Sequence, residues 1–230
     1  MPISVLDDNI FTSTAQTLVN TVNCEGVMGA GIALECRLRY PELFTRYQQF
    51  CEQNLLQPGK LWLYKGEERW ILNFPTKQQW KQPSKLQYLE LGLDNLVSTF
   101  QQRGITSIAL PLLGADKGGL DKTQVLALMK ARLAPLAAQI PVSIYLYRPD
   151  AKDDVFTLFA NQLASLSTEQ LKKHTGVSEK RIETLQHAVA SGHYAQINQL
   201  AKLPGIGLKT LEQIFQYCQQ PPPPENNSLF

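Results

Sequence analysis

The stretch that decides the architecture is Thr17-Leu18-Val19-Asn20-Thr21-Val22-Asn23-Cys24-Glu25-Gly26-Val27-Met28-Gly29-Ala30-Gly31-Ile32-Ala33-Leu34. Its first six residues are rich in β-branched and apolar side chains and read as a buried strand. Three glycines then interrupt the run, and from Gly31 the pattern turns helical through Arg39. A glycine-rich loop leading from a strand into a helix is a place where backbone N–H groups can cradle a phosphate. A plain strand-to-helix turn, with small residues serving packing, has the same composition. The loop lacks the third glycine and the following acidic residue of a dinucleotide fingerprint, and it lacks the Gly-Lys-Ser/Thr of a Walker loop.

The rest of the first 150 residues extends this strand–helix alternation. Runs at 3–6, 60–64, 69–74, 107–110 and 142–146 read as further strands, and 41–52, 84–103 and 122–133 as helices. Such alternation predicts a layered α/β domain, and this length buries a full core. A second glycine-rich loop, Pro111-Leu112-Leu113-Gly114-Ala115-Asp116-Lys117-Gly118-Gly119-Leu120-Asp121, again follows a strand and precedes a helix. Two such loops at the carboxyl ends of strands in one sheet face a common crevice and can wrap a diphosphate from both sides. A nucleotide containing a pyrophosphate is the ligand they suggest.

Arg148-Pro149-Asp150 ends the alternation. The sequence predicts a linker over 151–164, a small all-α domain over 165–220 and a disordered tail over 221–230, which opens with four prolines. No long internal repeat is expected. Within the helical segment, Leu203-Pro204-Gly205-Ile206-Gly207-Leu208-Lys209 resembles a helix-hairpin-helix motif. That resemblance implies contact of Gly205, Gly207 and Lys209 with a DNA phosphate. A Pro-Gly turn used only for packing remains the alternative.

Composition excludes several classes. The chain has 230 residues, is 43% hydrophobic and 18% charged, and carries a formal net charge of +2. This is globular, neither disordered nor coiled-coil. It has no apolar run of membrane-spanning length, and its first residues lack a signal-peptide pattern, so a cytoplasmic protein without membrane partners is expected. Four irregularly spaced cysteines and three histidines fit neither a zinc site nor a disulfide framework, so no metal is expected. No cofactor is expected either. The bulk charge is uninformative, yet residues 60–85 hold six basic and two acidic side chains together with all three tryptophans. Basic residues interleaved with aromatics suit an unpaired nucleic-acid strand. Trp62 and Trp70 fall in expected strands and are assigned to the core, which leaves Trp80 and Lys81 to meet a nucleobase.

Three separated segments carry a family resemblance: Leu18 to Ala33, Asn73-Phe74-Pro75-Thr76-Lys77, and Leu110-Pro111-Leu112-Leu113-Gly114. Together they resemble a macro domain over about residues 1–148, closest to the branch of the DNA ADP-ribosyl glycohydrolase antitoxins and the terminal ADP-ribose glycohydrolase of animals. The resemblance implies a three-layer α/β/α sandwich that binds ADP-ribose. It implies contact of Asp8, Asn9 and Ile10 with adenine, with the family's aspartate position falling on either Asp8 or Asn9. It further implies that Asn23 holds the distal ribose and that Gly29, Ala30, Gly31 and Ile32 line one side of the diphosphate. Pro111, Leu113, Gly114, Ala115, Asp116, Lys117 and Gly118 would line the other, with Asn20, Thr76 and Tyr147 completing the ligand set. Asp116 and Lys117 depart from the branch, which has Gly-Cys-Gly in this loop, and Lys117 is either a diphosphate partner or a solvated side chain.

The family's catalytic lysine falls on Lys77, and Asn23 joins it in the catalytic set. An amine desolvated against Phe74 and Trp80 would have a lowered pKa and could serve as nucleophile or base. The reading that follows is an ADP-ribosyl glycohydrolase acting on modified DNA, single-stranded by preference, with an ADP-ribosyltransferase toxin as counterpart. Its alternatives are a non-catalytic ADP-ribose reader and a hydrolase of protein-linked or small-molecule ADP-ribose esters.

Overall fold

The computed structural model describes residues 2–151 and 153–219. The chain divides into two compact units at residues 152/153. The expected tail at 221–230 lies outside the described residues.

The first unit contains β1 (Ser4–Asp7), β2 (Thr17–Val22), α1 (Gly31–Arg39), α2 (Pro41–Glu52), β3 (Trp62–Lys65), β4 (Trp70–Pro75), α3 (Leu86–Arg103), β5 (Ile108–Pro111), α4 (Lys122–Ala137) and β6 (Val142–Leu146). The strands form one six-stranded sheet in the order β1-β6-β5-β2-β4-β3. All neighbours are parallel except the edge pair β3 and β4. Successive side chains of a strand point to opposite faces, and the central strands divide accordingly. Val19, Leu72, Phe74, Ile108 and Leu110 join Leu93, Leu96, Met129 and Leu133 of α3 and α4 in one core. Leu18, Val22, Ile71 and Ala109 join Leu43 and Tyr47 of α2 and Cys36 of α1 in the other. Helices thus cover both faces, which is the three-layer α/β/α sandwich.

Every expected strand and helix of this unit is present, with shifts of a few residues at the ends. The third helix begins at Leu86 rather than Ser84 because Lys85 has extended backbone, at φ −122° and ψ 136°, while the Ser84 N–H donates to the carbonyl of Gly118, 2.9 Å away. The two tryptophans assigned to the core are half-buried. Trp62 meets Phe50 edge-on at 4.8 Å, and Lys65 Nζ lies 4.2 Å from the centre of the Trp70 ring.

The second unit is helical: α5 (Asp154–Ser165), α6 (Thr168–Thr175), α7 (Glu179–Ala190), α8 (Ile197–Leu200) and α9 (Leu208–Gln219). The expected linker at 151–164 is largely helix. Asp153 caps α5 by accepting from the Phe156 N–H, and Phe156, Phe159 and Leu163 give that helix a buried face. The Phe159 ring lies 5.8 Å from that of Phe215 in α9, so α5 is part of this unit's core.

Candidate functional site

In a mostly parallel sheet every β-to-α loop leaves the same edge, and ligands bind there. β1, β2, β4, β5 and β6 run parallel, so Asp8, Asn23 to Ile32, Thr76 to Lys81, Leu112 to Asp121 and Tyr147 all follow strand ends at one edge. The two glycine loops stand out separately in the sequence, about 85 residues apart. The topology brings them together.

Asn23 organises the first glycine loop. Its Oδ1 accepts from the Glu25 N–H at 2.9 Å and the Val27 N–H at 3.4 Å, and its Nδ2 donates to the Val27 carbonyl at 2.6 Å. One amide proton of Asn23 remains beyond the bond to Val27. The hydroxyl of Tyr47, a fully buried residue of α2, donates to Asn23 O and Oδ1 at 2.9 and 3.1 Å. Burial pushes the Tyr47 hydroxyl pKa up, so it remains a donor. Sequence reasoning missed Tyr47, because a tyrosine 24 residues downstream in an amphipathic helix carries no local signal of this contact. The loop ends at Ala30, which precedes α1 without any side-chain cap, and Gly31 opens the helix at φ +55°. Gly29 and Ala30 are exposed, and Gly31 and Ile32 are half-buried.

The loop after β4 is tied to the first. The Thr76 N–H donates to Val22 O, Cys24 N–H to Gln78 O, and Trp80 N–H to Glu25 Oε2 at 2.8 Å. The Cys24 thiol donates to Lys77 O at 3.4 Å, and burial pushes its pKa up to about 12, so it is not a thiolate at neutral pH. Lys77 is half-buried, and desolvation lowers its pKa from the ordinary lysine value. Of the two side chains expected beside its amine, Phe74 is fully buried with its ring against Gly92 of α3, and Trp80 is half exposed with Lys81 Nζ 5.2 Å from its ring centre.

The second glycine loop closes the opposite side. Lys77 Nζ donates to the Lys117 carbonyl at 2.7 Å. Gly114, at φ +65°, and Gly118 pack on Ser84, and a Cβ on Gly118 would collide with Gly114 O and Ser84 Oγ. Ser84 Oγ is buried without a hydrogen-bond partner. Leu113 and Ala115 point into the core with α3 and α4, so they can offer a ligand only their backbone. Asp116 pairs with Lys122 at 3.3 Å on the surface, and the Lys117 side chain is exposed.

At the far end of the edge, Asn9 is buried and caps a short 3-10 helix by accepting from the Phe11 N–H at 3.0 Å, whereas Asp8 is exposed and accepts from the Asn9 N–H at 2.7 Å. Ile10 is buried, Pro111 is half-buried and Tyr147 is half exposed. Asn20, expected among the ligand contacts, lies in the sheet interior instead. It is fully buried and donates to Asn73 Oδ1 across the β2–β4 ladder at 2.9 Å. Among the described residues no group of three or more His, Cys, Asp or Glu side chains can hold a metal ion, and no helix is long and apolar enough to cross a membrane.

A sheet of this order, covered on both faces and with two glycine loops meeting at its carboxyl edge, defines the macro domain class. The macro domain family model matches residues 19–129. The chain is 36% identical to the solved macrodomain of Mycobacterium tuberculosis DarG, with a TM-score of 0.58 over 64% of this chain and 99% of that one. It belongs to the macro domain family. Thermosipho africanus DarTG, solved in complex with ADP-ribose, is 37% identical with a TM-score of 0.61 over 64% of this chain and 42% of that chain. Among curated proteins, the DNA ADP-ribosyl glycohydrolase of M. tuberculosis is 40% identical over 146 residues, 61% of this chain. The chain spans about 40% of the length of that relative.

Proposed function

We propose that the protein is an ADP-ribosyl glycohydrolase that removes ADP-ribose from modified DNA. The observation that carries this reading is the placement of Lys77: an amine with a lowered pKa stands between two glycine loops at the strand-exit edge, in a fold whose relatives include DNA ADP-ribosyl glycohydrolases. In the proposed complex, Gly29 to Ile32 and Gly114 to Gly118 offer backbone N–H groups to the two sides of the diphosphate. The remaining amide proton of Asn23 meets the distal ribose, and Thr76 and Tyr147 complete the pocket. At the adenine end we assign recognition to Asp8 with Ile10 beside it, since Asn9 already uses its side-chain oxygen as a helix cap. Asn20 is left out of the ligand set.

The chemistry proceeds at C1″ of the distal ribose. The bond from C1″ to the DNA base breaks, its electron pair leaves with the base, and the neutral Lys77 amine attacks or stabilises the electron-poor carbon. Water then supplies the hydroxyl of free ADP-ribose and the proton that balances the leaving base. Macro domain relatives bind ADP-ribose as a ligand, so no further cofactor is invoked. Exposed Trp80 and Lys81 are positioned to meet a nucleobase next to the modified one on an unpaired strand. The Gly205-Ile206-Gly207 turn with Lys209 adds a DNA phosphate contact. A cognate ADP-ribosyltransferase toxin and a cytoplasmic setting belong to the same proposal.

Incubation of the purified protein with an ADP-ribosylated single-stranded oligonucleotide and, separately, with ADP-ribosylated protein tests it. Release of free ADP-ribose from the DNA, lost in Lys77→Ala, is the expected result. Release from protein alone would transfer the activity to the ester alternative, and binding without release would make the protein a reader.

A further inference from the structure

Residues 167–190 recur at 196–219 with a constant offset of 29 positions. The identities are Gln170/Gln199, Leu171/Leu200, Lys173/Lys202, Gly176/Gly205, Lys180/Lys209 and Glu183/Glu212. Val177/Ile206, Ile182/Leu211 and Leu185/Ile214 are conservative partners, all six buried. The structure repeats with the sequence. α7 and α9 span exactly corresponding residues, and Ser167 and Gln196, also offset by 29, each head a capping box closed by Gln170 and Gln199. Gly176 and Gly205 both adopt left-handed backbone, at φ +67° and +78°. Ile182 N–H donates to Ser178 O, and Leu211 N–H donates to Gly207 O, both at 3.1 Å. α5 packs against α7 and α9 alike. The absence of a long repeat expected from the sequence is therefore corrected: with only six identities, it is the matched turns and burial that reveal the duplication.

The repeat carries charge as well as shape. Lys173 and Lys202 each stand three residues before the turn glycine, and Lys180 and Lys209 four residues after it. All four are exposed, and none forms an ion pair among the described residues, whereas the neighbouring Lys172 is held by Glu179 at 3.6 Å. A near-neutral unit that keeps two unpaired lysines at matched positions in each of two equivalent hairpins is complementary to a partner with two equivalent anionic strands.

We infer that the hairpins at 171–182 and 200–211 act as a pair and take the two phosphate backbones of a nucleic-acid duplex through Lys173, Lys180, Lys202 and Lys209. The inference rests on the DNA reading of the second hairpin and extends it to the first. On a modified strand, this unit would hold the paired DNA that flanks an unpaired target.

The test uses the full chain and an unmodified, fluorescently labelled duplex of about 20 base pairs, with its single strand as control, in anisotropy titrations across salt concentration. Each phosphate contact contributes about 0.9 to the salt slope. Lys173→Gln with Lys180→Gln, and separately Lys202→Gln with Lys209→Gln, are each expected to weaken duplex binding about tenfold or more at 0.1 M salt and to lower the slope by about two. Loss confined to the second pair would overturn the duplication inference and leave the single-hairpin reading standing. No loss in either pair would remove both, and single-strand binding weakened as much as duplex binding by these same variants would overturn the two-backbone assignment. Release of ADP-ribose from a modified oligonucleotide, measured on the same variants, reports on the glycohydrolase reading independently.

Discussion

The ammonium of Lys77 donates a hydrogen bond to the backbone carbonyl of Lys117, 2.7 Å away, and so joins the loop leaving β4 to the glycine loop leaving β5 across the edge of the sheet. A lysine 40 residues from its acceptor is held at the boundary of the proposed diphosphate and ribose sites. For the amine to reach C1″, this bond has to give way to substrate.

Replacing Lys77 tests the chemistry directly. Lys77→Ala should lower the rate of ADP-ribose release about 100-fold or more. Lys77→Arg should be equally inactive, since guanidinium stays protonated. The pH profile carries a sign. The neutral amine is the active form, so the rate should rise with pH and level off around a midpoint below 10.5, the ordinary lysine value, because desolvation lowers the folded pKa. Stability follows the same direction. The unfolded chain binds this proton more tightly, so the cost of holding Lys77 charged is present below the lowered pKa and is relieved as pH rises toward the ordinary value. A rate profile without an alkaline rise would remove Lys77 from the role of nucleophile or base.

Tyr47→Phe removes only the hydroxyl that anchors Asn23. The Asn23 carbonyl then loses its buried donor, while Asn23 Oδ1 keeps the Glu25 and Val27 N–H groups, at a cost of about 1–2 kcal/mol, visible as a melting temperature lower by a few degrees. ADP-ribose affinity, measured by calorimetry, should fall with it because the first glycine loop loses its fixed position.

Gly118→Ala should impair ligand binding more than it impairs folding. The added methyl meets a backbone oxygen, Gly114 O, which cannot swing away as a side chain would, so the second loop must shift. An ADP-ribose affinity reduced about tenfold is expected. Gly119→Ala, where a Cβ meets open space but φ is +77°, serves as the comparison for backbone strain alone.

Asp8 and Asn9 should separate cleanly. Asp8→Ala is expected to weaken ADP-ribose binding with an unchanged melting temperature. Asn9→Ala removes a helix cap worth about 1 kcal/mol and should show chiefly in the melt. The reverse pattern would return adenine recognition to Asn9.

Cys24, although beside Lys77, should be dispensable for chemistry. Burial pushes its thiol up to about 12, so at pH 8 it should react with iodoacetamide far more slowly than a free thiol, and Cys24→Ser should retain activity.

The alternation of strands and helices is legible along the chain, because period-2 and period-3.6 apolar patterns are local properties. The two glycine loops are legible too, since left-handed or crowded backbone leaves a glycine behind it, as at Gly31, Gly114 and Gly118, whereas Lys77 is marked through the family resemblance of its segment. Which polar side chains face the crevice is set by packing between distant segments. Asn20 and Asn23 are three residues apart, yet one bonds Asn73 inside the sheet while the other shapes a loop at its edge. Asp8 and Asn9 are adjacent, yet Asn9 is buried and caps a helix whereas Asp8 is exposed. Tyr47 and Ser84 joined the site through contacts 24 residues away at Asn23 and 34 residues away at Gly118. The physical reason is the same in each case: burial and hydrogen-bond pairing are settled by non-local packing, whereas periodicity and backbone conformation are written residue by residue.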